Sequence, residues 1–278
     1  MKNNAIISIL LCLTFVSKGQ SITSVLHLNE EWEIHAGIPK LITESVIFYN
    51  HNGIETKKTI TEFDNSGLAI FKKNVTEDGQ ISSSTQYKYD TAKRLLLESN
   101  INEFIVRFPT NRVRTIYQYN SEPSPVNIKY LNLKGDVLSE VQLINNSLGL
   151  PIELKLYEPL GNLLGVEKAF YIPEENKAIV SVVNTQGMVL STDTLKISFK
   201  NAYKFSDPKI KYNEKGDVAF YEDHWPNGTI HYKEYVYIYD EPGNWTDQQA
   251  FEVTYNANGK AKRQLKSHLK REILYWPK

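Results

Sequence analysis

Apolar and polar positions alternate with a period of two along most of this chain, and short polar stretches containing glycine interrupt the alternation at regular intervals. Residues 235 to 239 are the clearest case: Tyr235, Tyr237 and Tyr239 alternate with Val236 and Ile238. Strict alternation of β-formers puts one set of side chains on each face of a strand. Asp240 ends that strand, and Pro242 and Gly243 are expected to be the central pair of a reversal, proline pre-setting φ and glycine taking the positive φ. Trp245 opens the return strand. The same order recurs in Phe63 to Gly67, Leu131 to Gly135, Asn145 to Gly149, Tyr157 to Gly161, Val183 to Gly187, Tyr212 to Gly216 and Tyr255 to Gly259. Tyr89-Asp90 carries Lys93 in place of glycine, and Tyr119-Asn120 has no glycine. Asp78-Gly79 and Asn227-Gly228 read as tighter two-residue hairpin turns. Glycines at 135, 149 and 161, and again at 216, 228, 243 and 259, recur every 12 to 16 residues, and the steps from 161 to 187 to 216 are about twice that. A fixed period is the mark of a repeat architecture, in which no unit buries its apolar face alone.

The pattern therefore predicts an all-β fold: tandem antiparallel β-hairpin repeats forming an extended, twisted or curled sheet over residues 21–278. Strands are expected at Val46 to Tyr49 and Thr59 to Phe63, with a turn at His51 to Gly53. Residues 92–106 have a helical option through Leu95 to Leu97, Ile101 and Ile105, but their neighbours favour strand. Residues 260–275 fit both periods.

Before this, residues 1–20 read as a secretory signal peptide. Lys2 supplies the positive start, and Ala5 to Val16 is an apolar run of 12 residues, too short to span a bilayer. Cys12 is the only cysteine and lies inside that run, so the mature chain would hold no disulfide and no thiolate site. No later apolar run is long enough for a transmembrane segment. Without Lys2 and Lys18, 30 basic residues face 32 acidic ones, a net charge of −2. That balance gives no electrostatic case for nucleic acid.

The stretch Tyr237 to Trp245 (YIYDEPGNW), with Asn258-Gly259-Lys260 and Arg271 to Tyr275, resembles the YD-repeat (RHS-like) family, and more narrowly the short exported YD-repeat-like proteins common in Bacteroidetes. Tyr221 to Tyr232, around Trp225-Pro226-Asn227-Gly228, is similar to MORN-like repeats. The resemblance implies consecutive antiparallel hairpins, decides residues 260–275 in favour of strand, and brings no catalytic residues, because such repeats act as scaffolds.

Three groups of residues are candidate sites. If Asn227-Gly228 is a two-residue turn, His224 and His231 face each other across a hairpin, where they would hold zinc or copper with a third ligand such as Glu222, or else form a solvated pair. Asp223 would then lie on the opposite face. The row Tyr235, Tyr237, Tyr239 and Trp245 is either an aromatic binding platform or packing. The run Lys260, Lys262, Arg263, Lys266, Lys270 and Arg271 would touch an anionic surface or protect a solvated edge strand. The expectation is an exported binding or scaffold protein of the periplasm or cell surface, without catalytic activity or cofactor, whose partner is a protein or polysaccharide of the envelope. A carbohydrate-binding or carbohydrate-active component using the tyrosine face is the alternative.

Overall fold

A computed structural model describes residues 21–26, 34–51, 53–104, 111–120, 124–196, 209–224, 229–255 and 258–277. The chain is all-β: among the described residues seventeen strands follow one another in antiparallel hairpin order, with almost no helix. Its residues group into two compact units, one made of Met1–Glu30, Lys88–Asn100 and Arg112–Ala202, the other of Glu31–Tyr87, Ile101–Asn111 and Tyr203–Lys278.

The turns explain the sequence grammar. Among the described residues, eight begin at Asp64, Thr76, Asn132, Asn146, Glu158, Asn184, Asn213 and Asp240. In each, the glycine three residues on donates its N–H back to the first residue's carbonyl at 2.9–3.1 Å, and the first residue's N–H donates to the fifth residue's carbonyl at 2.8–3.0 Å. The glycines sit at φ between +74° and +103°, the left-handed region that other residues enter at a penalty. This is a tight turn closed by a glycine bulge. The Asp or Asn is needed because its Oδ1 accepts turn N–H groups, two and four residues on as Asn132 does from Lys134 and Asp136 (2.8 and 3.0 Å), or three and four on as Asp240 does from Gly243 and Asn244 (3.0 and 2.7 Å). Two expectations are corrected here. Pro242 and Gly243 are the third and fourth residues of the turn 240–243, not its central pair. Asp78-Gly79 closes a four-residue turn from Thr76, whose hydroxyl donates to the Gln80 carbonyl at 2.9 Å. Where Lys93 replaces glycine, the left-handed position falls on Arg94 (φ 56°).

In the second unit, β1 (Pro39–Asn50), β2 (Gly53–Phe63), β3 (Ala69–Val75) and β4 (Ile81–Asp90, as far as Tyr87) form consecutive hairpins. This unit also holds β13 (Ile210–Tyr212), β14 (Val218–His224), β15 (Ile230–Tyr239), β16 (Trp245–Tyr255) and β17 (Ala261–Tyr275). β17 pairs with β16 on one side and β1 on the other, so it is not an edge strand. Ile42, Phe63 and Ala69 make the apolar core here.

The first unit holds most of β5 (Leu95–Glu103) and of β6 (Asn111–Gln118), then β7 (Asn127–Leu131), β8 (Val137–Asn145), β9 (Pro151–Tyr157), β10 (Leu163–Ile172), β11 (Lys177–Val183) and β12 (Val189–Lys196). A five-residue helix, α1 (Ile22–Leu26), stands outside the hairpin grammar. Ser21 starts it, its hydroxyl accepting the Ser24 N–H at 3.1 Å. Ile22 and Val25 are buried against Ile128, Val141, Leu154 and Val180, and the Ile22 N–H donates to the Glu167 carboxylate at 2.7 Å. Burial pushes the Glu167 carboxyl above its ordinary range, and that hydrogen bond opposes the shift.

The expected strands at residues 46–49, 59–63 and 260–275 are present, and 95–103 is strand rather than helix. Residues 225–228, with the expected Asn227-Gly228 turn, lie outside the described residues, as do residues 1–20.

Candidate functional site

On one face of the second unit, alternation along β15 lines up His231, Lys233 and Tyr235. The register sets Asp223 of β14 opposite His231, and on β16 sets Glu252 opposite Lys233 and Ala250 opposite Tyr235. A bulge in the pairing of β16 with β17 between Ala250 and Phe251 leaves Lys266 over Glu252. Phe48 and Asn50 of β1 close the far side. Together these residues border a hollow of about 490 Å³.

Its charges are paired with one another. Glu252 accepts from Lys266 at 2.8 Å through Oε2, and its Oε1 lies 3.1 Å from His231 Nδ1. Lys233 Nζ lies 3.6 Å from Asp223 Oδ2. The hydrogen bond from Lys266, then that from His231, holds the Glu252 carboxyl below its ordinary value, so it is a carboxylate at neutral pH. Burial, reinforced by Tyr221 and Asp223, pushes the Tyr235 hydroxyl up, so it remains a neutral donor.

This arrangement corrects the histidine expectation. His231 has Asp223 opposite it, and His224 stands opposite Ile230. A two-residue turn at 227–228 requires paired numbers to sum to 455, whereas 223 with 231 and 224 with 230 sum to 454. The shift of one residue brings Asp223 onto the His231 face. Among the described residues no three His, Asp, Glu or Cys side chains form a metal-binding group.

The tyrosine row divides in two. Tyr235 borders the hollow. Tyr237 donates to the Val218 carbonyl at 3.0 Å and accepts from Gln248 at 2.9 Å. Tyr239 donates to Asp217 at 2.6 Å and accepts from Asn213 at 2.7 Å. Trp245 is 2% exposed, with the Arg271 guanidinium carbon 3.3 Å from its ring centroid. It cannot face a ligand. The residues between these tyrosines are the exposed ones: Val236 at 44% and Ile238 at 61%.

No family model and no curated protein matches the sequence. Among solved structures, the chain is similar to a porin-like protein from Bacteroides uniformis, at 11% identity and a TM-score of 0.45, over 86% of this chain and 98% of that one. It is also similar to the Photorhabdus luminescens Tc holotoxin pore, at 13% identity and a TM-score of 0.23, over 81% of this chain and 16% of that one. Neither likeness bears on what the hollow holds.

The basic run is also resolved by geometry. Arg263 pairs with Glu234 at 2.7 Å, Lys266 with Glu252, and Arg271 with Glu44 at 2.8 Å. Lys233 and Glu252 are not singled out by the sequence because each looks like an ordinary polar position of an alternating strand, and Asp223 is expected on the opposite face. The direct opposition of Lys233 and Glu252 becomes visible only once the β15–β16 register is known.

At the turn end of these strands, burial and then the carboxylates of Asp217 and Asp240 push the Tyr239 and Tyr275 hydroxyls up to about 12. The folded state keeps protons that the unfolded chain, with tyrosines at their ordinary value of 10.0, gives up. Stability is therefore complete below pH 10 and falls as the pH rises from 10 toward 12. Urea midpoints at pH 9 and pH 11 test this: a drop at pH 11, reduced in Tyr239→Phe/Tyr275→Phe, is expected, and equal midpoints would contradict it.

Proposed function

We propose that the protein is an exported binding protein of the cell envelope, without catalytic activity, and that it holds a neutral sugar chain in the hollow of the second unit. One observation carries this reading: a hollow bordered by aromatic rings whose charged groups already neutralise each other. A charged ligand would have to displace an internal ion pair before gaining its own. A polyhydroxylated neutral ligand displaces none. Its hydroxyls donate to Asp223 and Glu252 and accept from Lys233, Lys266 and the Gln248 amide, while rings such as Tyr235 and Phe48 offer apolar faces to its C–H groups. The YD-repeat resemblance adds that hairpin arrays of this kind are scaffolds, with function carried by a local feature of the surface. Among the described residues no helix is long and apolar enough to cross a membrane.

A cross-linked pull-down of tagged protein from the producing cell's envelope tests the proposal. Polysaccharide enriched by wild-type protein and lost with Glu252→Ala/Lys266→Ala is the expected result. A single stoichiometric protein partner, with no sugar, would overturn the sugar ligand and leave a scaffold. Release of shortened sugar by purified protein would overturn the absence of catalysis.

A further inference from the structure

The hairpin order of the first unit sorts its turns by end. Turns 132–135, 158–161 and 184–187 join β7 to β8, β9 to β10 and β11 to β12, so all three lie at one end of the strands; turn 146–149, whose Leu148 is 68% exposed, lies at the other. At that first end large apolar side chains stand in solvent. Leu133 is 71% exposed, Leu160 88% and Met188 60%. Behind them, Leu138, Leu164 and Leu190 are 43–60% exposed. The repeat grammar does not demand this. The corresponding turns of the second unit read Asp-Asn-Ser, Thr-Glu-Asp, Asn-Glu-Lys and Asp-Glu-Pro before their glycines, with no large aliphatic residue.

We propose that this end of the first unit inserts shallowly into the surface of a lipid bilayer. Exposed apolar surface on this scale marks an interaction site, and three features select lipid over protein as the occupant. The turns carry their own hydrogen bonds: each glycine N–H and each first-residue N–H is satisfied within the turn. The Asn132 and Asn184 side chains fold back onto turn amides, and the Glu158 carboxylate onto the Asn162 amide. Such tips carry fewer unpaired N–H groups than an open loop into a medium that offers no hydrogen bonds. They also project along the strand axes, presenting no free strand edge for another chain to pair with. Finally, Lys134 and Glu158 are the only charged residues within the three turns, and Lys134, next to Leu133, is placed for the phosphate level while the leucines reach the acyl boundary. The inference rests on a different unit from the hollow and stands without it.

The test is flotation of the purified protein with vesicles of phosphatidylethanolamine and phosphatidylglycerol. Wild-type protein is expected to float, and Leu133→Ser/Leu160→Ser/Met188→Ser to partition at least tenfold more weakly with an unchanged circular dichroism spectrum and melting temperature. In a second variant, Leu160→Trp, the emission that vesicles add should be blue-shifted. Wild-type protein left in the aqueous fraction would overturn the proposal, as would a triple variant that floats equally well. So would a triple variant whose only change is lost self-association by light scattering, which would assign the surface to a second copy of this chain.

Discussion

Asn244→Ala is expected to destabilise the fold by about 3–5 kcal/mol, the largest effect of any polar truncation in the second unit. Asn244 is wholly buried. Its Oδ1 accepts the His35 and Ala36 N–H groups at 2.5 and 3.1 Å, and its Nδ2 donates to the Ala36 carbonyl at 2.6 Å and to the Tyr275 hydroxyl at 2.7 Å. Tyr275 in turn donates to Asp240, the residue that opens the turn before Asn244. One amide thus pins the segment leading into β1 to the turn between β15 and β16 and to the end of β17. Alanine would leave two part-buried N–H groups and a carbonyl without this partner, each costing up to about 1–3 kcal/mol where water cannot reach it. Urea denaturation gives the number. A loss under 1 kcal/mol would mean that water replaces the amide without penalty and that the clip is incidental.

Arg271→Met should cost about 3–5 kcal/mol, and pairing it with Glu44→Leu should restore more than half of that. The Arg271 side chain is 8% exposed; it donates to Glu44, itself 17% exposed, and covers the Trp245 ring. Methionine keeps much of the contact with the indole but leaves the Glu44 carboxylate desolvated and without that partner. Removing both charges eliminates the penalty. Chemical denaturation of the two single variants and the double variant closes the cycle. A double variant no more stable than Arg271→Met would show that the cation over Trp245, rather than the ion pair, carries the energy.

These two residues show which parts of the molecule a sequence discloses. The motif from Tyr239 to Trp245 stood out because it is dense in unusual residue types, and five of its seven residues have a structural task. Asp240 and Gly243 make the turn, Asn244 clips a distant segment, Tyr239 holds Asp217, and Trp245 lies under Arg271. Strand alternation and the Asp/Asn-x-x-Gly turn were legible because both are local rules, set within five residues. His35 and Ala36, which Asn244 holds, and Glu44, which Arg271 holds, lie more than 200 positions away and leave no local trace. The same distance hid the pairing of β17 with β1, so a run of lysines and arginines resembled a protected edge. The hollow failed for a subtler reason. Its position depends on strand register, and an offset of one residue between β14 and β15 exchanged His224 for Asp223 opposite His231.

The proposed function depends on sugar binding in the hollow. Calorimetric titration of neutral envelope oligosaccharide into wild-type protein, Tyr235→Leu and Lys266→Ala addresses it directly. Saturable binding by wild type, weakened at least tenfold in both variants while their melting temperatures stay close to wild type, is the predicted result. Equal binding by all three proteins, or no heat with any of them, would contradict it.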